Sequence, residues 1–227
     1  MVGVITLAIF LISLTFFVGG YFLSSTFYFK KHDVKYSFTR MFPYEFNYPN
    51  SFKNNVYGNI AFVVSYIGII TFYIYYLGTH ASTNPSLITL SVLAVVIALL
   101  ISCLSFMPLQ FLRAHMIIAT VAMVLSFAAP ALGAMHAFET FKHVTLDSDK
   151  ALCMVALVIG AILALTMFVF SLNPRATYKI YLDKGVDKDG NETLTRPRFI
   201  PIAFNEWWSI FTYVLGPLPL VILAFIK

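Results

Sequence analysis

Three side chains that could bind a metal or exchange protons lie close together in the sequence: His136, Glu139 and His143. Their spacings of three and four residues place them on one face of a helix. Imidazole and carboxylate groups bind zinc and also serve as general acids and bases, so the trio could hold a metal or act on a lipid headgroup. A solvated helix end explains the same residues, because Phe138 and Phe141 interleave with them and no HExxH pattern is present. The pattern favours the solvated helix end and keeps the metal site as the alternative.

Haem is the other group that histidines in a helical bundle could hold. His115 and His136 are separated by 21 positions in the sequence, and a helix of that length spans about 32 Å, too far for two ligands of one iron. His80 could face His136 from the same side, but the partner on the opposite side would be His32, outside any apolar stretch. We therefore expect no cofactor.

The elements that would position these side chains are membrane spans. Only 11% of the 227 residues are charged, whereas soluble domains average about 25%. Charged residues are confined to gaps between long apolar stretches, and each stretch reaches the roughly 20 residues that a spanning helix needs. The predicted fold is all-α, a single domain over 1–227 with six transmembrane helices. The predicted spans are 4–23, 56–77, 87–107, 115–135, 151–172 and 208–226.

The predicted spans contain no acidic residue and no lysine or arginine in their interiors. Transporters that couple to protons or ions usually carry ionisable groups inside the membrane, so this absence argues against a proton-coupled pump. Small residues such as Gly68 and Gly160 are instead expected to let helices approach closely.

The charges between the spans predict an orientation. Twelve of the fifteen basic residues fall in the loops 24–55 and 173–207 or at Arg113, and these loops alternate with basic-poor ones. Because basic loops stay on the cytoplasmic side, both termini are expected on the outer side. The loop before the last span alternates through 176–182 and 192–199 around Asp187-Lys188-Asp189-Gly190-Asn191, which predicts a β-hairpin.

Aromatic and basic residues flank the spans and are expected to lie at the lipid headgroups, where rings with one polar end are favoured. The residues predicted to form this interface with lipid are Phe42, Tyr44, Tyr48, Arg113, Trp207 and Trp208. Glu206 is expected to begin the last helix at the same level, with Asn205 as its N-cap.

Four segments of the first half resemble a known family. They are the first-loop sequence FPYEFNYP, then GNIAFVVSYIGIITFYIYY, LSVLAVVIALLISCLSF and RAHMIIATVAMVLSF, with His115 opening the fourth span. Together they resemble the six-span damage-regulated autophagy modulators and their relatives in glycolipid-anchor remodelling. The resemblance implies a six-helix fold and a non-enzymatic or lipid-associated role, with no catalytic residue to transfer.

These patterns together predict a non-catalytic membrane protein. We expect an accessory or scaffold subunit of a larger membrane complex, with membrane lipids and other proteins as partners and no nucleic acid, since the basic residues flank membrane spans. Two alternatives remain. One is a stand-alone lipid-handling or lipid-modifying protein with its site near His136, Glu139 and His143. The other is a passive conduit for a small solute.

Overall fold

The computed structural model describes residues 1–47, 52–80, 85–106, 111–172, 183–186, 192–195 and 197–226. Seven α-helices are present in this part of the chain. They are α1 (Val2–His32), α2 (Val56–His80), α3 (Pro85–Phe106), α4 (Leu112–His143), α5 (Asp147–Ser171), α6 (Pro201–Leu215) and α7 (Leu218–Leu223). Two 3-10 turns, Pro43–Asn47 and Phe52–Asn55, lie between α1 and α2. Two four-residue strands, β1 (Asp183–Val186) and β2 (Glu192–Thr195), pair antiparallel.

Six helical segments are long and apolar enough to cross a membrane, as the sequence predicts, and α6 with α7 forms the last of them. The protein is therefore a multi-pass integral membrane protein with an all-α fold. Several helices extend beyond the predicted spans. The 31 residues of α1 would measure about 46 Å, longer than the roughly 30 Å hydrocarbon core, because a helix can continue into the headgroup region after its apolar run has ended.

The last span differs most from its prediction. It begins at Pro201, whose ring suits the first helical position. The helix is interrupted by a turn at Gly216 and Pro217, between α6 and α7. This span is also the most enclosed: 72% of its most hydrophobic window is buried, against 28% for α1. The other spans surround α6, and α1, α3, α4 and α5 all contact it.

Helices pack closely where small residues face each other, as predicted. A methyl group added to Gly160 would lie 3.0 Å from Ala134 Cβ and 3.0 Å from the Pro130 carbonyl, so α5 approaches the backbone of α4 there. Gly68 of α2 similarly faces Ser13 of α1. The most extensive pairings are α1 with α2 and α4 with α5.

The two strands lie in the loop for which the sequence predicts a hairpin. They pair Asp183 with Thr195 and Val186 with Glu192. The second strand falls within the predicted 192–199 segment. The predicted first segment, 176–182, lies outside the described residues.

Candidate functional site: a buried histidine–glutamate pair

A histidine and a glutamate from distant parts of the chain meet inside the bundle. His115 lies in the first turn of α4, and its Nε2 is 3.2 Å from Oε1 of Glu206 in α6. The two side chains are 3% and 0% exposed. An isolated charge buried at this level would cost several kcal/mol, so the contact is the way each side chain is accommodated away from water.

This pair corrects the prediction for Glu206. The sequence placed Glu206 at the start of the last helix and at the membrane surface, with Asn205 as cap. In the structure α6 starts five residues earlier, its N-cap is Ile200, and no side chain caps it. Asn205 is buried instead and donates from Nδ2 to the Phe170 carbonyl at 2.7 Å. Because the helix starts earlier, Glu206 becomes an interior residue, and an ionisable group does lie inside a candidate span.

The described part of the loop that follows α1, up to Asn47, folds against the pair. The ring of Tyr44 meets the His115 ring edge-on, with centroids 5.3 Å apart and an interplanar angle of 89°. Phe42 stacks on Tyr44 at 5.4 Å. Glu45 Oε1 accepts a hydrogen bond from the Phe42 amide at 2.8 Å, which closes the turn on itself. We call residues 36–47 the inner plug.

A tyrosine and a tryptophan attach the inner plug to α6. Trp207 Nε1 donates to the Tyr36 hydroxyl at 2.9 Å and to the Met41 carbonyl at 3.0 Å, and the Tyr36 hydroxyl donates to the Phe42 carbonyl at 2.8 Å. Burial raises the pKa of Tyr36 well above its usual value, and the negative charge of Glu45 raises the pKa further. The Tyr36 hydroxyl therefore keeps its proton and remains a donor at physiological pH.

Amide side chains connect the inner plug to α2 and α3. Asn59 Nδ2 donates to Asn47 Oδ1 at 2.7 Å, and Asn47 Nδ2 donates to the Ser105 carbonyl at 2.8 Å. Asn55 Nδ2 reaches Ser24 Oγ of α1 at 2.8 Å. Each of these three amides thus makes at least one hydrogen bond, although Asn55 Oδ1 has no partner among the described residues.

The histidine–glutamate pair retains bonding capacity. The other nitrogen of the imidazole, His115 Nδ1, and the second oxygen of the carboxylate, Glu206 Oε2, are buried and have no hydrogen-bond partner among the described residues. An imidazole next to a carboxylate can act as a general acid or base, but a substrate must come within hydrogen-bond distance. The inner plug and α6 leave neither residue exposed in this conformation. In this conformation the contact therefore joins α4 to α6.

The predicted metal ligands lie at the opposite end of α4. His136 Nδ1 is 4.0 Å from Glu139 Oε2, and the ring of Tyr76 lies between His136 and His80. His80 stacks flat on Tyr76 with centroids 4.0 Å apart. We call His80, His136 and Glu139 the outer cluster. His143 is exposed, and across the described ranges no three His, Cys, Asp or Glu side chains are placed to hold a metal ion.

The residues predicted to face lipid headgroups divide into three groups. Phe42, Tyr44 and Trp207 are buried in the protein, because the inner plug turns into the bundle and α6 is central; they do not form an exposed belt. Trp208 is half-buried and donates from Nε1 to Thr166 Oγ1 at 3.3 Å, while Arg113 is exposed. Tyr48 lies outside the described residues.

Sequence reasoning missed Tyr36, His115 and the asparagines as members of one site. Two signals could have indicated them. Glu206 is the single acidic residue between Pro197 and the last residue, within an otherwise apolar stretch, and Asn55 and Asn59 are spaced to share a helix face.

Comparisons with protein-family models, with curated protein sequences and with solved structures return no match for this chain. The resemblance to the six-span autophagy modulators therefore stays a prediction.

Proposed function

We propose that the protein is a non-catalytic accessory or scaffold subunit of a larger membrane assembly. The observation that carries this proposal is the internal pairing of polar groups. His115 bonds Glu206, which joins α4 to α6, and Asn59 bonds Asn47, which joins α2 to the inner plug. Groups arranged for transport or turnover would instead line a space that a substrate can enter.

The outer surface supports the same proposal. Only 28% of the most hydrophobic window of α1 is buried, and large residues along α5 such as Ile162 and Leu165 are exposed. Lipid covers such faces in a lone protein, and other membrane helices cover them in an assembly. An adapter of this kind needs apolar outer faces and helices that are joined to one another, and the exposed apolar residues and the buried His115–Glu206 contact are consistent with both needs.

The first test is native mass spectrometry of the protein extracted gently from its own membrane. We expect a stoichiometric complex with at least one other membrane protein. Reproducible recovery of the protein without a protein partner, together with bound metal at the outer cluster or an enzymatic product, would contradict the proposal.

A photo-crosslinking amino acid then locates the contact. Placed at Leu165, which is exposed on α5, it should capture one defined protein partner. The matched control is Leu163, two residues away and buried. Equal crosslinking from both positions would show that capture is non-specific.

The alternative function is that of a stand-alone lipid-modifying enzyme, and the observation in its favour is the contact between His136 and Glu139. The matched variants are Glu139→Gln, which removes the carboxylate, and Asp147→Asn, which removes an exposed carboxylate nearby. If cells lose function only with Glu139→Gln, the enzyme replaces the scaffold as the better explanation.

A further inference from the structure

A shallow groove, open to the surroundings, runs along one face of α4 and starts at the first turn of that helix. Its volume is about 420 Å³, and its described lining is Arg113, Met116, Ile117, Thr120 and Val121. These positions follow the i, i+3, i+4, i+7, i+8 pattern, so they form one continuous stripe on the helix. The eight-residue rise from the first to the last is about 12 Å, close to half of the roughly 30 Å hydrocarbon core of a bilayer.

The residues of the stripe that follow Arg113 are mainly apolar. Thr120 is the one polar residue there, and its Oγ1 donates to the Met116 carbonyl at 2.9 Å within the same helix. The hydroxyl is thereby satisfied, and the groove presents methyl and thioether groups. Ile117 is 65% exposed, so the wall is open to whatever surrounds the helix.

Arg113 is the first residue of this stripe and its one charged side chain. Its side chain is exposed, and no carboxylate among the residues with described side chains lies within 4.0 Å of it. A guanidinium group offers five donors in a fixed fork that matches the oxygens of a phosphate. The groove therefore has a guanidinium group suited to a phosphate at one end and, beyond it, an apolar surface nearly as long as one leaflet is thick.

We propose that this groove binds one anionic glycerophospholipid, with its headgroup phosphate at Arg113 and one acyl chain along Met116, Ile117 and Val121. Free phosphate would satisfy the arginine but leave the track uncovered, so the lipid is the occupant that fits both ends. The inference rests on the membrane placement in the proposed function and is independent of any protein partner.

The test is native mass spectrometry of the full chain in detergent, titrated with phosphatidylglycerol and, separately, with phosphatidylcholine. We expect the wild type to retain one phosphatidylglycerol in preference to phosphatidylcholine. Arg113→Gln should weaken the first binding event about fivefold, the effect typical of one basic residue on an anionic lipid. Arg113→Lys should keep most of the affinity because the charge remains.

Two further variants separate the groove from general surface charge. Ile117→Trp fills the track without changing charge and should also lower the affinity. Lys35→Gln removes an exposed charge elsewhere in the first loop and should leave the affinity within twofold. Equal losses for Arg113→Gln and Lys35→Gln, or equal binding of the two lipids, would overturn the proposal.

The same spectra test lipid binding and protein partnership separately. A protein partner that remains while the lipid is lost in Arg113→Gln supports the lipid site and leaves the scaffold intact. A lipid that binds selectively to a protein without partners supports the lipid site alone.

Discussion

Replacing His115 with leucine should destabilise the protein strongly, because it isolates a buried carboxyl group. Leucine removes the ring nitrogen that lies 3.2 Å from Glu206 Oε1 but still fills much of the space. Glu206 is 0% exposed and its second oxygen already lacks a hydrogen-bond partner. Leaving it ionised without the imidazole would cost more than neutralising it, so the carboxyl group takes up a proton in the folded variant.

The cost follows from the proton that must be added. A glutamate in water has a pKa of about 4.3, so placing a proton on it at pH 7 costs about 3.7 kcal/mol. For a chain of this size about 3.7 kcal/mol corresponds to a loss of about 10 °C in Tm. Because the folded variant holds one more proton than its unfolded state, its stability falls as pH rises. Lowering the pH from 7 to 5.5 should recover about 2 kcal/mol of that cost, since each pH unit changes it by about 1.4 kcal/mol.

The assay is thermal unfolding of the purified protein in detergent, followed by tryptophan fluorescence, since Trp207 belongs to the same buried site. The matched control is His136→Leu, which is the same substitution on the same helix. The carboxylate that contacts His136, Glu139, is 44% exposed and stays solvated when the imidazole is removed. The loss of the contact between His136 and Glu139 should therefore cost under about 1 kcal/mol.

A rescue variant tests the cause. In His115→Leu with Glu206→Gln the buried carboxyl group no longer exists, and most of the lost Tm should return. Equal Tm shifts for His115→Leu and His136→Leu would show that the buried carboxyl group of Glu206 does not cause the destabilisation. A double variant as unstable as the single one would show the same.

Three further outcomes are expected. Gly58→Ala should lower the free energy of unfolding by about 1–3 kcal/mol, because the new methyl group would overlap Ser24 Oγ. Its control is Gly78→Ala, where no described atom lies within 4 Å of the new methyl group. On the same melting assay this control should be neutral or stabilising by up to about 1 kcal/mol. Tyr36→Phe should cost about 1–3 kcal/mol, because its hydroxyl loses two hydrogen bonds, from Trp207 Nε1 and to the Phe42 carbonyl, each of which contributes about 0.5–1.5 kcal/mol. Its deficit should be constant up to about pH 9 and shrink above pH 10, where the unfolded wild type ionises but the raised pKa keeps the folded tyrosine protonated. The outer cluster should bind no stoichiometric zinc by elemental analysis; one zinc per chain that is lost on changing Glu139 would contradict this.

The sequence predicted the membrane spans well because hydrophobic length is a local property. A run such as Leu87–Phe106 is apolar all round, and only a spanning helix satisfies both its side chains and its backbone. The positions of the close approaches at Gly68 and Gly160 also follow from residue size alone. The start of α6 was misplaced because Pro201 through Glu206 includes polar residues that a search for apolar runs excludes.

The candidate site was predicted less well because its parts have no sequence period in common. His115 and Glu206 are separated by 91 positions, and nothing in the local sequence distinguishes a buried histidine–glutamate contact from a helix end at the headgroups. The aromatic residues Phe42 and Tyr44 have the composition of a membrane interface, and composition does not tell which way a loop folds.

Residue chemistry along the chain therefore determined that this protein crosses the membrane six times. Tertiary structure alone decided that the inner plug folds into the bundle and that Glu206 is fully buried against His115. The physical reason is that insertion depends on the apolar content of each segment by itself, whereas a buried polar group is tolerated only when a particular distant partner is brought within hydrogen-bond distance.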